Sequence, residues 1–200
     1  NLLLLFKKKP EPLSGYNLNE NSRVLFIRLN NLGDALISTP VIKRIKETVN
    51  CKTYILAGRR NSKAFTNNKY VDKVIVFNKG LSGFREVSSF VKNEKIDVII
   101  DLHDDVSTTV SFLMAMCGAK VKAGLRKSNS RVYNLTTERK NAEKFHIVER
   151  LMSLVTLFNI SYETEKISVV YQPSEDSFRK AKEFIDTSFT EKKFLTGINI

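Results

Sequence analysis

Four short apolar runs constrain the fold more than any other feature of this chain. Val24-Leu25-Phe26-Ile27, Tyr54-Ile55-Leu56-Ala57, Val74-Ile75-Val76-Phe77 and Ile96-Asp97-Val98-Ile99-Ile100 are nearly continuous rather than alternating. A strand with one face in water alternates apolar and polar residues, so continuity is the pattern of parallel strands buried on both faces. Parallel strands need crossovers, and the intervening segments supply them. Val41, Ile42, Ile45 and Val49 recur at helical spacing with Lys43, Arg44, Lys46 and Glu47 opposite, which predicts an amphipathic helix. Phe84, Val87 and Val91 begin a second helix, Val110 to Met116 form a third and Ile147 to Phe158 a long fourth. The alternation predicts an α/β fold, a doubly wound parallel sheet of Rossmann-like type with right-handed crossovers.

The segment Ile167-Ser168-Val169-Val170-Tyr171 reads as a closing strand and Gln172-Pro173-Ser174 as a hinge. Ser174 before Glu175 and Asp176 is an N-cap pattern for a helix reaching about Thr187. Phe194 to Ile200 then reads as a strand with no partner in the sequence, the expected start of a second domain. The expected division is a leader and linker over 1–22, a Rossmann-like domain over 23–172, and a hinge helix with the first strand of an incomplete second domain over 173–200. Asn1 to Pro10 puts five apolar residues before Lys7-Lys8-Lys9, too short to span a membrane and in the wrong order for a signal peptide. It reads as a trimmed leader, either a solvated tail or a weak anchor on an anionic membrane surface. Glu11 to Ser22 is expected to be a linker.

Charge narrows the function. Thirty-three Lys and Arg against 21 Asp and Glu leave +12 over 200 residues, which favours a polyanionic partner. At 42% hydrophobic residues the chain can bury a core and is not a disordered one. Cys51 and Cys117 fit no metal or redox spacing, so a reducing cytosol is the expected compartment.

In an open parallel sheet, ligands bind beyond the carboxyl ends of the strands. After the first run comes Arg28-Leu29-Asn30-Asn31-Leu32-Gly33-Asp34, which is not G-x-G-x-x-G and offers instead a carboxylate beside a single glycine. Asp34 either caps the helix or acts as a general base, and the two roles are compatible because donors at a helix start fix a carboxylate's orientation. Pro40 leaves two choices: a helix starting at Gly33–Asp34 and kinking, or one capped by Thr39 with Pro40 in its first position. Gly58-Arg59-Arg60-Asn61-Ser62-Lys63 and Gly124 to Arg131 are basic loops on the same expected edge. Their guanidinium forks suit phosphates and carboxylates, the alternative being a solvated basic surface. In Asp101-Leu102-His103-Asp104-Asp105, a metal site is weighed against a structural reading in which Asp104 or Asp105 caps a helix, Asp101 pairs with a base such as Arg28, and His103 lines the cleft. His146, at a helix start, reads as structural.

Residues Arg23 to Pro40 resemble the first strand, loop and helix of glycosyltransferase family 9, the lipopolysaccharide heptosyltransferases. Asp97 to His103, the Gly118-Ala119 to Gly124 stretch and Phe145-His146-Ile147-Val148-Glu149-Arg150 fit the same family in order. The resemblance implies the N-terminal, acceptor-binding half of a GT-B enzyme that transfers heptose from ADP-heptose to a phosphorylated lipopolysaccharide inner core with inversion and without a metal cofactor. Asp34 would be the general base. Asn31 and Gly33 would shape the acceptor pocket, with His103 beside it, and Arg59, Arg60, Arg126 and Arg131 would hold acceptor phosphates. The expected protein is a cytoplasmic monomer, peripheral on the inner face of an anionic membrane, with a nucleotide-sugar donor and no nucleic acid. Rival readings are a GT-B relative with another donor or acceptor, and a non-catalytic basic domain that binds anions or nucleic acid.

Overall fold

The computed structural model describes residues 10–189 and Thr196. Six strands form one parallel sheet: β1 (Arg23–Arg28), β2 (Lys52–Ala57), β3 (Lys73–Val76), β4 (Val98–Asp101), β5 (Val121–Leu125) and β6 (Leu135–Thr137), in the order β3-β2-β1-β4-β5-β6. The helices are α1 (Leu32–Val49), α2 (Leu81–Asn93), α3 (Thr108–Met116), α4 (Ile147–Met152) and α5 (Glu175–Ser188). The doubly wound sheet expected from the sequence is therefore present. Its direction of winding reverses between β1 and β4, the topological switch point of such sheets.

Both faces are covered, which accounts for the continuous apolar runs. Val24 and Phe26 of β1 pack into one layer with Val41, Ile42 and Ile45 of α1 and with Leu151, Leu154 and Phe158. Leu25 and Ile27 pack into the other with Val87 and Val91 of α2 and Val110, Leu113 and Met114 of α3. Successive residues of one strand thus enter opposite cores. Cys51 and Cys117 are buried, free thiols.

The structure resolves the Pro40 question in an unforeseen way. Helix α1 begins at Leu32, with Asn31 rather than Asp34 or Thr39 at the N-cap, and runs through Pro40. Proline lacks the N–H that would bond to the carbonyl of Leu36. The Thr39 hydroxyl supplies that bond instead, donating to Leu36 O at 2.7 Å. The Thr39 hydroxyl oxygen in turn accepts the Val170 N–H at 2.8 Å.

Two expectations are corrected. The Ile167–Tyr171 segment is not a strand: it runs outside the sheet across α1, where Thr39 rather than a ladder partner meets Val170, and Val169 and Tyr171 are exposed. The sixth strand is instead Leu135–Thr137, three residues long and too polar to stand out in the sequence. The long fourth helix is α-helical only to Met152 and continues as a 3-10 helix over Ser153–Phe158, ended by Asn159 in the left-handed region at φ 59°. Ser174 does cap α5, accepting the Ser177 N–H. The described part of the linker lies against the domain, with Leu13 N–H donating to Asn134 O at 2.7 Å and Tyr16 N–H to Leu157 O at 3.1 Å. The leader before Pro10 and, but for Thr196, the expected strand at Phe194–Ile200 lie outside the described residues. Among the described residues no helix is long and apolar enough to cross a membrane.

Candidate active site

Because every strand runs the same way, the loops after β1, β2 and β3 emerge at one edge, and together with the start of α3 they enclose a cleft of about 1140 Å³. Asn30 and Asn31 come from the first loop, Arg59 and Arg60 from the second, Phe77, Asn78 and Lys79 from the third, Phe84 and Glu86 from α2, and Ser107 and Thr109 from the start of α3. Two glycines bring these walls together. A Cβ on Gly58 would stand 2.6 Å from the Leu29 carbonyl oxygen, and one on Gly83 would stand 1.6 Å from that of Asn78. Side chains at either position would push the loops apart.

The cleft is basic with an aromatic wall. Arg59, Arg60 and Lys79 face one carboxylate, Glu86, which already accepts from Asn78 Nδ2 at 3.1 Å. Phe77 and Phe84 meet edge to face with centroids 5.4 Å apart, and Phe84 meets Phe112 in turn. An apolar ring face beside guanidinium forks suits a ligand with both a sugar ring and an anionic group.

Asp34 stands in the first turn of α1, three residues past Asn31. Its side chain is 30% exposed, with Oδ1 3.1 Å from the guanidinium of Arg28, itself 2% exposed. Arg28 also donates through Nε to the Asp34 carbonyl at 3.1 Å and through a terminal nitrogen to the Leu102 carbonyl. Burial pulls the Arg28 guanidinium below its ordinary range, and the nearby Asp34, Asp101 and Asp104 charges oppose that pull. Asp34 is thus a fixed, part-exposed carboxylate with one oxygen tied to a buried cation. Gly33 is exposed, and a Cβ there would meet nothing within 4 Å, so the chain's own packing does not require glycine at this position.

The fourth loop departs from expectation. Ser107, not Asp104 or Asp105, caps α3. Asp101 is fully buried and pairs with Lys127 at 2.9 Å rather than with Arg28. It also accepts the His103 backbone N–H at 2.9 Å, His103 Nδ1 at 2.7 Å and the Tyr133 hydroxyl at 2.6 Å. Burial alone would raise the Asp101 pKa, but His103, Lys127 and Tyr133 outweigh it and hold the carboxyl well below the usual range. Burial and Asp101 push the Tyr133 phenol far above its own. His103 does not line the cleft: it is 1% exposed and both ring nitrogens are engaged. Asp104 turns elsewhere, binding Arg139 at 2.6 Å and Arg150 at 2.9 Å. With these carboxylates diverging, no group of three or more His, Cys, Asp or Glu side chains converges on a point among the described residues.

Of the expected site residues, Asn31, Arg59 and Arg60 therefore meet in the cleft, whereas Gly33 and Asp34, two and three residues past Asn31, are not in its lining. Arg126 is paired with Glu138 beyond β5, and Arg131 lies in the 3-10 helix Ser130–Val132, so neither lines the cleft. His146 is structural, as its place at a helix start implied: it caps α4, with Glu149 closing a capping box. Sequence reasoning missed Lys79 and Phe84, although Lys79 follows the third apolar run as directly as Arg59 follows the second. It also paired Arg28 with Asp101 where the structure pairs it with Asp34, and it missed Lys127, 26 residues away, as the partner of Asp101.

A scan of protein families matches residues 85–198, more than half of the chain, to glycosyltransferase family 9 (heptosyltransferase). A search of curated proteins finds no significant match. Among solved structures, the chain is similar to a glycosyl transferase family 9 protein from Veillonella parvula DSM 2008, at 18% identity over 88% of this chain and 52% of that one, with a TM-score of 0.75. It is similar to the E. coli ADP-heptose LPS heptosyltransferase II at 14% identity, covering 86% and 51% of the two chains with a TM-score of 0.61. It is similar also to the E. coli heptosyltransferase WaaC solved with ADP, at 18% identity over 71% and 49% with a TM-score of 0.55. At these identities the likeness is one of fold, and the chain spans about half the length of each structure. With the family matched over more than half of its residues and a sheet shared with these structures, the chain belongs to glycosyltransferase family 9.

Proposed function

We propose that this chain carries the acceptor side of an inverting glycosyltransferase that moves heptose from ADP-heptose to a phosphorylated inner-core glycolipid at the cytoplasmic face of an anionic membrane. The observation that carries this reading is the Arg28–Asp34 pair in the first turn of α1, three residues past Asn31 of a basic cleft, in a chain of this family. The E. coli neighbours support the donor, since WaaC was solved with ADP and with ADP-2-deoxy-2-fluoro heptose and the other is named an ADP-heptose LPS heptosyltransferase. The net charge of +12 supports the anionic acceptor.

The chemistry follows from the placement. Arg59, Arg60 and Lys79 hold the acceptor's anionic group, and the ring faces of Phe77 and Phe84 flank its sugar. The acceptor hydroxyl lies against the free oxygen of Asp34, which takes its proton as the hydroxyl oxygen bonds to the anomeric carbon. The bond from that carbon to the diphosphate breaks on the opposite face, so ADP leaves and the configuration inverts. Arg28 holds one oxygen of the carboxylate in place throughout, so the base needs little reorientation at the moment of transfer.

The test is transfer by the complete protein from ADP-heptose to a phosphorylated inner-core glycolipid, followed by mass spectrometry. Asp34→Asn keeps the side chain's shape and removes its basicity, so kcat is expected to fall about 10²–10⁴-fold, roughly 3–5 kcal/mol of transition-state stabilisation, with donor KM little changed. Near-normal turnover in this variant would overturn the assignment.

A further inference from the structure

The polar groups at the end of β4 have only one consistent arrangement of protons. Asp101 is an acceptor, so the His103 ring nitrogen 2.7 Å from it, Nδ1, is the donor. The Leu29 backbone N–H is a donor and lies 3.2 Å from Nε2, which must therefore carry a lone pair. A proton on Nε2 would set one N–H against another. Lys127 holds the carboxylate from its other side, 2.9 Å from Asp101 Oδ2, and also bonds to the His103 carbonyl at 2.7 Å and the Asp105 carbonyl at 3.3 Å.

What this arrangement grips is the start of the β1–α1 loop. Leu29 is the first residue after β1, followed by Asn30 and Asn31 of the cleft and then by the turn that bears Asp34. The neighbouring residue is tied in the opposite sense, because the Arg28 side chain donates to the Leu102 carbonyl. Two consecutive residues of β1 and its loop are thus held by two consecutive residues after β4: a side chain reaches a main chain in each direction across the switch point. Both crossings also lead to Asp34, one through the loop and one through the guanidinium.

We propose that His103, fixed as the Nδ1–H tautomer by Asp101 and Lys127, is a positioning residue that clamps the main chain of Leu29 and so sets where Asn31 and Asp34 stand at the cleft. This rests on the proposed role of Asp34. The clamp works by geometry and contributes no proton to the reaction.

Two measurements test it. In this chain, ¹⁵N-detected imidazole spectra should show a pyrrole-like Nδ1 and a pyridine-like Nε2 for His103, with the Leu29 amide protected from exchange. The opposite tautomer or an unprotected Leu29 amide overturns the proposal whether or not any variant folds. In the complete protein, His103→Ala should lower kcat about 10–100-fold with donor KM unchanged, the scale expected for a misplacement near 1 Å. His103→Gln, whose amide oxygen can take the Leu29 N–H, should recover most of that loss. Unchanged kcat in His103→Ala, or no recovery in His103→Gln, overturns the clamp. If Asp34→Asn is inactive while His103→Ala is fully active, the clamp alone fails; if Asp34→Asn turns over normally, the base assignment fails and the spectra still decide the clamp.

Discussion

Replacing Lys127 by Met tests the buried network directly, since the thioether keeps most of the side chain's packing and removes its charge. The Lys127 and Asp101 side chains are 2% and 0% exposed, so neither can regain water when its partner goes. Removing one member of a buried pair costs about 3–5 kcal/mol, because the other charge is left uncompensated. Three donors remain on Asp101: the His103 amide, the imidazole and the Tyr133 hydroxyl. They place the expected loss at the low end, about 3 kcal/mol, and at a urea dependence of about 2 kcal/mol/M the unfolding midpoint should fall by about 1.5 M. Adding Asp101→Asn removes the stranded charge, so the double variant should be more stable than Lys127→Met alone by about 1 kcal/mol. The pH dependence has a definite sign. A carboxyl held below its unfolded value stabilises above that value and loses the contribution as pH falls through the folded one. The gap between wild type and Lys127→Met should therefore be constant from pH 8 to 5 and narrow below about pH 4, where the unfolded carboxyl protonates. Urea unfolding followed by circular dichroism across this range is the assay. A Lys127→Met variant within about 1 kcal/mol of wild type at pH 7 would refute the reasoning.

Two further outcomes are expected. Thr39→Val removes the hydroxyl that stands in for the Pro40 N–H, leaving the Leu36 carbonyl and the Val170 N–H without their partner; the cost should be about 2 kcal/mol, a fall of roughly 4–8 °C in Tm, and Thr39→Ser should restore most of it. Arg59→Glu with Arg60→Glu should raise the acceptor KM on the order of tenfold and flatten its salt dependence, whereas Arg126→Glu, outside the cleft, should leave both nearly unchanged in steady-state assays at varied ionic strength.

The sheet was legible because its signal is redundant. Each residue of Val24-Leu25-Phe26-Ile27 had to be apolar for one core or the other, and the same holds for most positions of β2 and β4. Leu135-Thr136-Thr137 carries no such signal, since an edge strand needs one ladder partner and one buried side chain. Ile167 to Tyr171 carries a false one: its β-branched residues suit a strand, but the segment lies outside the sheet and meets α1 at Thr39. At the site, the rule that ligands meet the loops after parallel strands located Asn31, Arg59 and Arg60. It could not separate cations facing the cleft from cations already paired, because pairing depends on which loops are neighbours in space. His103 was misread for the same reason, its imidazole being held inward by an aspartate two residues earlier and a backbone N–H 74 residues earlier.

That separation changes what the charge of the chain means. Beyond β4, β5 and β6, four cations are matched: Lys127 by Asp101, Arg126 by Glu138, Arg139 by Asp104 and Asp105, and, in α4, Arg150 by Asp104. These pairs join the loops to one another, so their charge maintains structure. The loops after β2 and β3 carry Arg59, Arg60 and Lys79 around a cleft whose lining holds a single carboxylate. The same residue types therefore do different work on the two sides of the switch point, and the boundary between them is the crossing of Arg28 and His103. An anion entering this edge on the β1–β3 side meets these cations around the cleft, which steers it toward the face where α1 begins, two residues before Asp34. A positive surplus spread evenly over the edge would attract the same ligand without orienting it. Gathered around one cleft, the surplus draws an anion to one side of the switch point.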